Sequence, residues 1–354
     1  MTAYIIRRLL QLPITVLGVT VLIFAMTMVL SPVERSALYV RDFPHTEGAL
    51  DAIIRRYGLD DPFHVQYWRW LVGRIDPETG KRVGGVLRGD LGFSRTGRQP
   101  VIDLILHRLP ASLELALWSM VPIISIGVWL GIVAAKHHNK LVDQVARVFS
   151  LIGWSFPTFV FALLVLMVFY AKLRWFPPGR LSDWATQVVL STEFHRYTQL
   201  NTVDALLNLR MDIFWDALRH MFLPIVTLCY VQWAMLLRLT RSSMLEALRQ
   251  DYMITARAKG LPEKTVVNRH ALPNALIPVV TVGGMTVVGL ISGVVITETV
   301  FNYPGMGRAV AVAAQTLDVL TVLGCVLLSA VLLIVANLVI DLLYGFLDPR
   351  VRLA

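Results

Sequence analysis

Val319-Leu-Thr-Val-Leu-Gly-Cys-Val-Leu-Leu-Ser-Ala-Val-Leu-Leu-Ile-Val-Ala-Asn-Leu-Val-Ile340 runs for 22 residues without one Asp, Glu, Lys or Arg. A helix of about 20 apolar residues is what the hydrocarbon core of a bilayer requires. Five further charge-free stretches of comparable length occur: Leu9–Val33, Leu115–Ala135, Val148–Ala171, His220–Leu237 and Ala271–Thr297. The chain has 354 residues, of which 56% are hydrophobic and 16% charged, and its mean hydropathy is +0.62. Soluble domains average about 25% charged residues. A charge at the bilayer centre costs roughly 2.5–3.5 kcal/mol on insertion scales, which explains the clean gaps. Buried core helices of a soluble protein are shorter and interrupted by polar faces. The expectation is an all-α polytopic membrane protein with six spanning helices.

The 25 residues of Leu9–Val33 follow Arg7 and Arg8. They exceed a signal peptide's apolar region of about 7–15 residues, and no small-x-small cleavage site closes them, so they read as an uncleaved anchor. Segments 136–147 and 238–270 hold 10 Lys or Arg in 45 residues, whereas 172–219 and 298–318 hold 7 in 69. Basic residues accumulate in cytoplasmic loops, so both termini are expected in the cytoplasm. The sequence pI of about 9.8 then reflects topology and anionic lipid. No basic stripe with interleaved aromatics points to nucleic acid. Cys229 and Cys325 both fall in apolar stretches and read as small hydrophobes.

The expected division is a tail and first span over 1–33, an outer loop over 34–108, and a five-helix core over 109–354. In the first outer loop, Gly48 to Tyr57 reads as an amphipathic helix ended by Gly58, and Pro62 opens a second carrying Tyr67, Trp68 and Trp70. Such aromatics mark the headgroup belt. Asp76–Arg82 is a polar turn. Gly73 and Gly80-Lys81 faintly echo a phosphate loop, but the spacing is wrong and Arg82 stands where Ser or Thr belongs. The second outer loop holds a short helix at Asn201–Leu207, capped by Asn201 or Thr202. In the third, Pro304-Gly305 suits a type II turn.

Arg238–His270 is polar, basic and patterned. Met244, Leu248, Tyr252 and Ala256 recur every four residues and share one helical face. A helix carrying them is expected to stop at Gly260, with Pro262 and Glu263 opening another that runs to Pro273. Two short helices joined by a Gly-Leu-Pro bend make an elbow. An elbow with an apolar strip can dock in a partner's groove; a basic amphipathic helix can equally lie in the headgroups.

Gln250-Asp-Tyr-Met-Ile-Thr-Ala-Arg-Ala-Lys-Gly-Leu261, followed by Arg269-His-Ala-Leu-Pro-Asn-Ala275, resembles the cytoplasmic signature of ABC-importer permeases. Gly260, nine residues and Leu272-Pro273 match its spacing. Ile254-Thr255-Ala256 stands where the signature has Glu-Ala-Ala, and His270 replaces Ile, which is the form of the dipeptide and oligopeptide branch. Gly89-Asp-Leu-Gly-Phe-Ser94, Leu239–Glu246, Glu298–Phe301 with Pro304–Gly307, and Asp341–Gly345 with Asp348–Arg350 resemble the same branch. Ser31–Glu34 lacks an expected Gly-Asp-Pro, and the loop around 76–86 looks inserted.

The resemblance implies a type I ABC-importer permease fold with a coupling helix in 238–275 and sizeable periplasmic loops, in a bacterial or archaeal plasma membrane. It implies pairing with a second permease and docking of the elbow into one of two ATPase subunits. These bind the ATP and magnesium, so this chain needs no cofactor, metal or catalytic residue of its own. A periplasmic or lipid-anchored binding protein delivers the ligand. Short peptides are the expected cargo, with oligosaccharides or another small solute as the alternative. The residues expected to couple to the ATPase are Glu246, Asp251, Tyr252, Ala256, Arg257, Lys259, Gly260, Leu261 and Pro273. Ser155, Gln232, Asn274, Thr281, Ser292 and Asn337 are candidates for the translocation path, although such groups commonly serve as helix–helix hydrogen bonds. Glu298, Tyr303, Pro304 and Gly305 are candidates for a periplasmic gate.

Two other functional classes would leave different residues in the chain. A secondary transporter places ionisable side chains near mid-membrane, and the six gaps hold none apart from His220 near an end. A membrane enzyme of the zinc or serine type needs a constellation such as HExxH or GxSxG; His137-His138 lacks that spacing.

Overall fold

The computed structural model describes residues 2–36, 47–75, 80–291 and 293–347. Its helices and strands follow in chain order. They are α1 (Thr2–Thr27), α2 (Pro32–Ser36), α3 (Glu47–Tyr57), α4 (Phe63–Val72), β1 (Arg74–Ile75), β2 (Arg82–Val83), β3 (Phe93–Ser94) and β4 (Gln99–Pro100). Then come α5 (Val101–Lys136), α6 (Leu141–Ser155), α7 (Thr158–Leu166), α8 (Asp183–Leu190), α9 (Asn201–Leu207) and α10 (Met211–Leu248). Last are α11 (Asp251–Ala258), α12 (Glu263–Thr265), α13 (Leu272–Ile291), α14 (Val295–Val300), α15 (Met306–Gln315) and α16 (Val319–Leu347). Each strand pair, β1–β2 and β3–β4, is a two-stranded antiparallel hairpin.

Five helices among the described residues are long and apolar enough to cross a membrane. The pair α6 and α7 makes a sixth only if it is counted as one broken span, because its halves meet at 100°. Val148–Ala171 therefore does not form the single straight helix its composition suggested. Phe156 precedes Pro157, the proline ring excludes the α conformation at the residue before it, and Phe156 is extended (φ −91°, ψ 119°). A π-helical turn at Met167–Lys172 follows α7. The chain divides into two compact units, one of 1–109 with 308–342 and the other of 110–307 with 343–354.

In the first unit, α3 and α4 fall where the amphipathic pattern placed them. The aromatic run of α4 is only partly a surface belt: Tyr67 and Trp70 pack on Phe24 of α1, with Phe63, and the Tyr67 hydroxyl lies 2.9 Å from Thr20 Oγ1. Trp68 stays exposed. Asp318 sits immediately before α16, the position where a carboxylate satisfies free helical N–H groups. It accepts hydrogen bonds from Ser94 Oγ (2.7 Å), the Thr96 N–H (3.1 Å) and Thr321 Oγ1 (2.8 Å). The β3–β4 hairpin is thereby fixed to the start of α16.

The second unit is built around α10. Gly127 and Gly131 of α5 face Leu236 and Thr240 of α10, and Gly153 of α6 faces Ala234, each without room for a Cβ. Lipid supplies no hydrophobic drive for helix association, so such close approach and its dispersion contacts hold the helices together. Tyr230 of α10 stacks on Phe161 of α7 at 4.1 Å and meets Phe149 of α6 edge-on at 5.9 Å. α9 begins at Asn201 as expected, but neither Asn201 nor Thr202 caps it. Leu200 occupies the cap position, and Thr202 donates elsewhere, as described below. Cys229 and Cys325 are buried free thiols.

Burial raises the Asp318 carboxyl, and the bonds from Ser94, Thr96 and Thr321 outweigh it, leaving the group below the usual aspartate value of 3.8. A depressed carboxyl contributes stability that is complete above its unfolded value and is lost as pH falls through the folded one. Asp318→Asn is expected to cost about 1–3 kcal/mol at pH 7. The difference in thermal midpoint from the parent protein should narrow toward pH 3. An equal difference at both pH values would rule out a charge contribution.

Candidate functional site: the elbow and the opposite-end carboxylates

The elbow forms where α10 ends at Leu248. Gln250 turns extended (φ −73°, ψ 151°) and Asp251 opens α11. This break resets the helical phase, so Met244, Leu248, Tyr252 and Ala256 do not form one buried row. Met253 and Ala256 turn inward, while Tyr252 is 40% exposed. Gly260 then adopts φ +75° with open space around it, so its requirement is conformational and not steric. The second arm is not a separate helix ending at Pro273. α12, a π-turn at Val266–Ala271 and α13 run on continuously, and Pro273 follows directly on the π-turn.

The underside of the elbow is a small core of Met244, Ala247, Met253, Ala256, Val266, Val267 and Ala271, closed by Ala135 of α5 and Ala275 of α13. Across the bend, the Arg257 guanidinium donates to both Glu263 oxygens at 2.9 and 3.1 Å. That pair is solvent-exposed and worth little energetically, but it spans Gly260. Glu246, Asp251, Tyr252, Arg257, Lys259, Gly260, Leu261 and Pro273 all lie on the outer surface. Ala256 does not, and serves as floor. Ile254, 63% exposed, belongs to the outer face and was not anticipated, because an isolated Ile carries no pattern.

Next to the elbow, Asp143 of α6 is fully buried. Arg241 of α10 donates to it through Nε and, at 2.8 Å, through Nη2. Arg147 Nη2 (3.2 Å) and the Asn139 N–H (3.0 Å) also donate to it, and His138 Nδ1 lies 3.5 Å away. Neither Asp143 nor Arg241 stands out in the sequence, since their separation of 98 residues leaves no local trace. The only available sign was an acidic residue four before Arg147.

The outer-end candidates gather around α5. Glu298, at the end of the fifth apolar stretch, does not reach water: it is fully buried and accepts from Ser112 Oγ at 2.7 Å, which itself accepts the Met306 N–H at 2.8 Å. Gly305 has no positive φ, so Pro304-Gly305 is not a type II turn. Its glycine is needed for space, since a Cβ would fall on the Glu298 carboxyl and Ser112 Oγ. Two residues along α5, Glu114 accepts from Arg180 Nη2 (2.7 Å) and Nε (3.1 Å), and from the Thr202 N–H (2.6 Å) and Oγ1 (2.9 Å). Burial lowers the Arg180 guanidinium, but the Glu114 charge and hydrogen bonds, together with Tyr303 beside it, raise the group overall. Tyr303 is fully buried and its hydroxyl makes no hydrogen bond of ordinary geometry; burial, with the Glu114 charge beside it, pushes the phenol far up. Ser112 with Glu114, Arg180 and Thr202 come from three sequence regions, and no local pattern links them; the sequence singles out only Thr202, as a helix cap.

The translocation candidates are not brought together. Asn274 and Thr281 bond carbonyls of their own helix. Ser155 and Asn337 are exposed, and Ser292 lies outside the described residues. Gln232 Oε1 is 3.5 Å from Thr286 Oγ1, a weak link of α10 to α13.

Residues 127–353 match the family model for the binding-protein-dependent transport system inner membrane component. The chain belongs to that family. Residues 1–116 match the corresponding N-terminal model of transport system membrane components. The protein is accordingly a multi-pass inner-membrane transport component. It is 39% identical to a di/tripeptide transport system permease of Pseudomonas aeruginosa (strain UCBPP-PA14), over 99% of both chains. It is 38% identical to a probable D,D-dipeptide transport system permease of Escherichia coli (strain K12), over 98% of this chain and 96% of the relative. It is also 36% identical to an oligopeptide transport system permease of Bacillus subtilis (strain 168), over 99% of this chain and all of the relative.

Two measurements follow from this geometry. Asp143→Asn or Arg241→Met alone should destabilise the protein by about 3 kcal/mol, because each leaves a partner charge unpaired. The double variant should lose less than the sum, as a double-mutant cycle in thermal unfolding would read; strict additivity would deny the pair. Gly305→Ala should lower the thermal midpoint, corresponding to about 1–3 kcal/mol of overpacking, and Ser112→Ala should partly relieve it.

Proposed function

We propose that this chain is a permease subunit of an ATP-driven importer that takes up short peptides handed over by a substrate-binding protein. One observation carries the reading: the three relatives above, all named for di-, tri- or oligopeptide transport, align with nearly the whole chain at 36–39% identity. Two ATPase subunits would bind and hydrolyse ATP with magnesium, and a second permease would complete the path. α6 and α7 would count as one broken span, making six, with both termini in the cytoplasm.

The physical requirements of that role are consistent with this geometry. A force-bearing elbow must present side chains outward and be anchored below. Tyr252, Ile254 and Leu261 offer an apolar docking face, ringed by Asp251, Arg257 and Lys259, while Met253 and Ala256 anchor it. Asp143 and Arg241 would make α6 move with α10 when the elbow is pushed. At the other end, Glu298 with Ser112 and Glu114 with Arg180 would act as latches holding the 303–306 turn and the 180–202 loop on α5, closing the periplasmic side of the path. Buried, satisfied carboxylates hold one arrangement stably and exact a large penalty for partial separation, which suits a two-state gate.

The test uses the assembled transporter in nanodiscs, with ATPase activity as readout. Binding protein loaded from a peptide library should stimulate hydrolysis; the same protein offered oligosaccharides should not. Gly260→Pro, which cannot adopt φ +75°, should abolish stimulation with assembly intact. Stimulation by oligosaccharides alone would reassign the cargo. Failure of the chain to co-purify with any ATPase would overturn the importer reading.

A further inference from the structure

Helix α9 is built inside out. Asn201, Thr202, Asp204 and Ala205 are buried, while Val203, Leu206 and Leu207 are exposed. In a water-facing helix the apolar stripe is the one that packs inward. Here the polar side is inward because it is used. Thr202 donates to Glu114, as described above, and accepts from Trp118 Nε1 at 3.1 Å. Asp204 accepts from the Thr198 N–H and Oγ1, both at 2.8 Å, and from the Gln199 N–H at 2.9 Å. Val189, Phe194, Ala205 and Ile213 close a small apolar core of their own in the same region. The outward leucines thus belong to a packed segment that already has its core.

The turn out of α9 holds a further apolar side chain outside. The Leu209 N–H bonds to the Leu206 carbonyl (3.1 Å) and the Arg210 N–H to the Ala205 carbonyl (2.8 Å), the pair of bonds that ends a helix through one left-handed residue. That residue is Leu209, with φ +56° and 87% exposed. Glycine takes this conformation without the steric penalty that leucine meets. Met211, Trp215 and Phe222 of α10 follow, exposed at spacings of four and seven residues. They form one helical stripe that runs from the tip of α10 into its charge-free segment.

Three tryptophans fix the level of this surface. Trp118 touches α9 through Thr202 and lies 6.0 Å from the Phe214 ring, Trp215 meets the same ring edge-on at 5.5 Å, and the Trp175 carbonyl accepts from Arg219 Nε of α10. All three are exposed, and such tryptophans concentrate at the headgroup level of a membrane. Trp215 precedes His220, where the charge-free stretch begins, by five residues, which is about 7.5 Å of helix. The headgroup layer on each side of a bilayer is about 5–7 Å thick. The apolar face of α9 is therefore level with the headgroups and continuous with the stripe that descends into lipid.

We propose that α9 and the Leu209 turn are an interfacial membrane anchor, with Leu206, Leu207, Leu209 and Trp215 seated at the boundary between phospholipid headgroups and acyl chains, at the end of α10 opposite the elbow. Interfacial helices sink their apolar face about 5–10 Å into this layer. The polar face of the same helix holds Glu114 of α5, so the lipid surface becomes a fixed point against which α5 is held. The anchor depends on the membrane placement of the chain and on no choice of cargo.

The experiment places a nitroxide on Leu207→Cys or Leu209→Cys in the assembled transporter in nanodiscs. The parent protein, whose two cysteines are buried, gives the background, and thermal midpoints confirm folding. Collision of the label with oxygen, which partitions into the acyl region as an apolar solute, is compared with collision with a neutral, water-soluble nickel chelate. Oxygen contact should exceed chelate contact at 207 and 209, and the order should reverse at Glu193→Cys, on an exposed turn. Chelate-dominated contact at both 207 and 209, or equal values at all three positions, overturns the proposal. Exclusion of both quenchers from 207 and 209 also overturns it and assigns the face to the second permease. Chelate access that is lost only when binding protein is added assigns the face to the delivering protein instead.

Discussion

Helix α10 can be approached closely by its neighbours, and most of the second unit depends on that approach. In lipid, helices gain nothing by hiding apolar side chains from one another, since the solvent is equally apolar. What remains is contact density and a few satisfied polar pairs. Gly127 and Gly131 let α5 settle on α10, Gly153 does the same for α6, and Tyr230 fills the angle between α6 and α7 with two ring contacts. A side chain at any of those glycines would lift a helix away and forfeit the dispersion contacts along its length.

The polar pairs then set which parts move as one. Asp143 and Arg241 join α6 to α10 beside the elbow. Glu114 and Arg180, with Ser112 and Glu298, join the loops at the opposite end of α5 to that helix. Buried charges are expensive to desolvate, and an arrangement that satisfies them leaves few alternatives of similar energy. A transport component needs such sharply separated states, and these pairs lie at the ends of the helices, where water can reach a partner when a pair opens.

The local features followed from local rules. The amphipathic helix before Gly58, the helix after Pro62 and the short helix at Asn201 all appear where periodicity and turn residues placed them. The errors have physical causes. Four-residue spacing from Met244 to Ala256 was real, but an extended Gln250 interrupts the helix and rotates Tyr252 outward. Val148–Ala171 was apolar throughout, yet Pro157 bends it. Gly305 looked like a turn glycine because it follows proline; its small size matters instead, because Glu298 and Ser112 occupy the space a Cβ would need.

By itself the amino-acid order determined the solvent this chain lives in, the approximate extent of its membrane helices, the position of the Gly260 bend and the resemblance that names its family. These depend on composition and on neighbours a few residues apart, which a linear reading contains. Only the tertiary structure decided that Glu298 is buried, that Asp143 meets Arg241, that Glu114 meets Arg180, and that α9 turns its leucines outward and Asp204 inward. Those facts depend on which distant segments touch. A charged residue at a helix end looks the same in sequence whether it faces water or a partner dozens of residues away. The difference is a matter of desolvation and pairing energy, and only the packed chain supplies it.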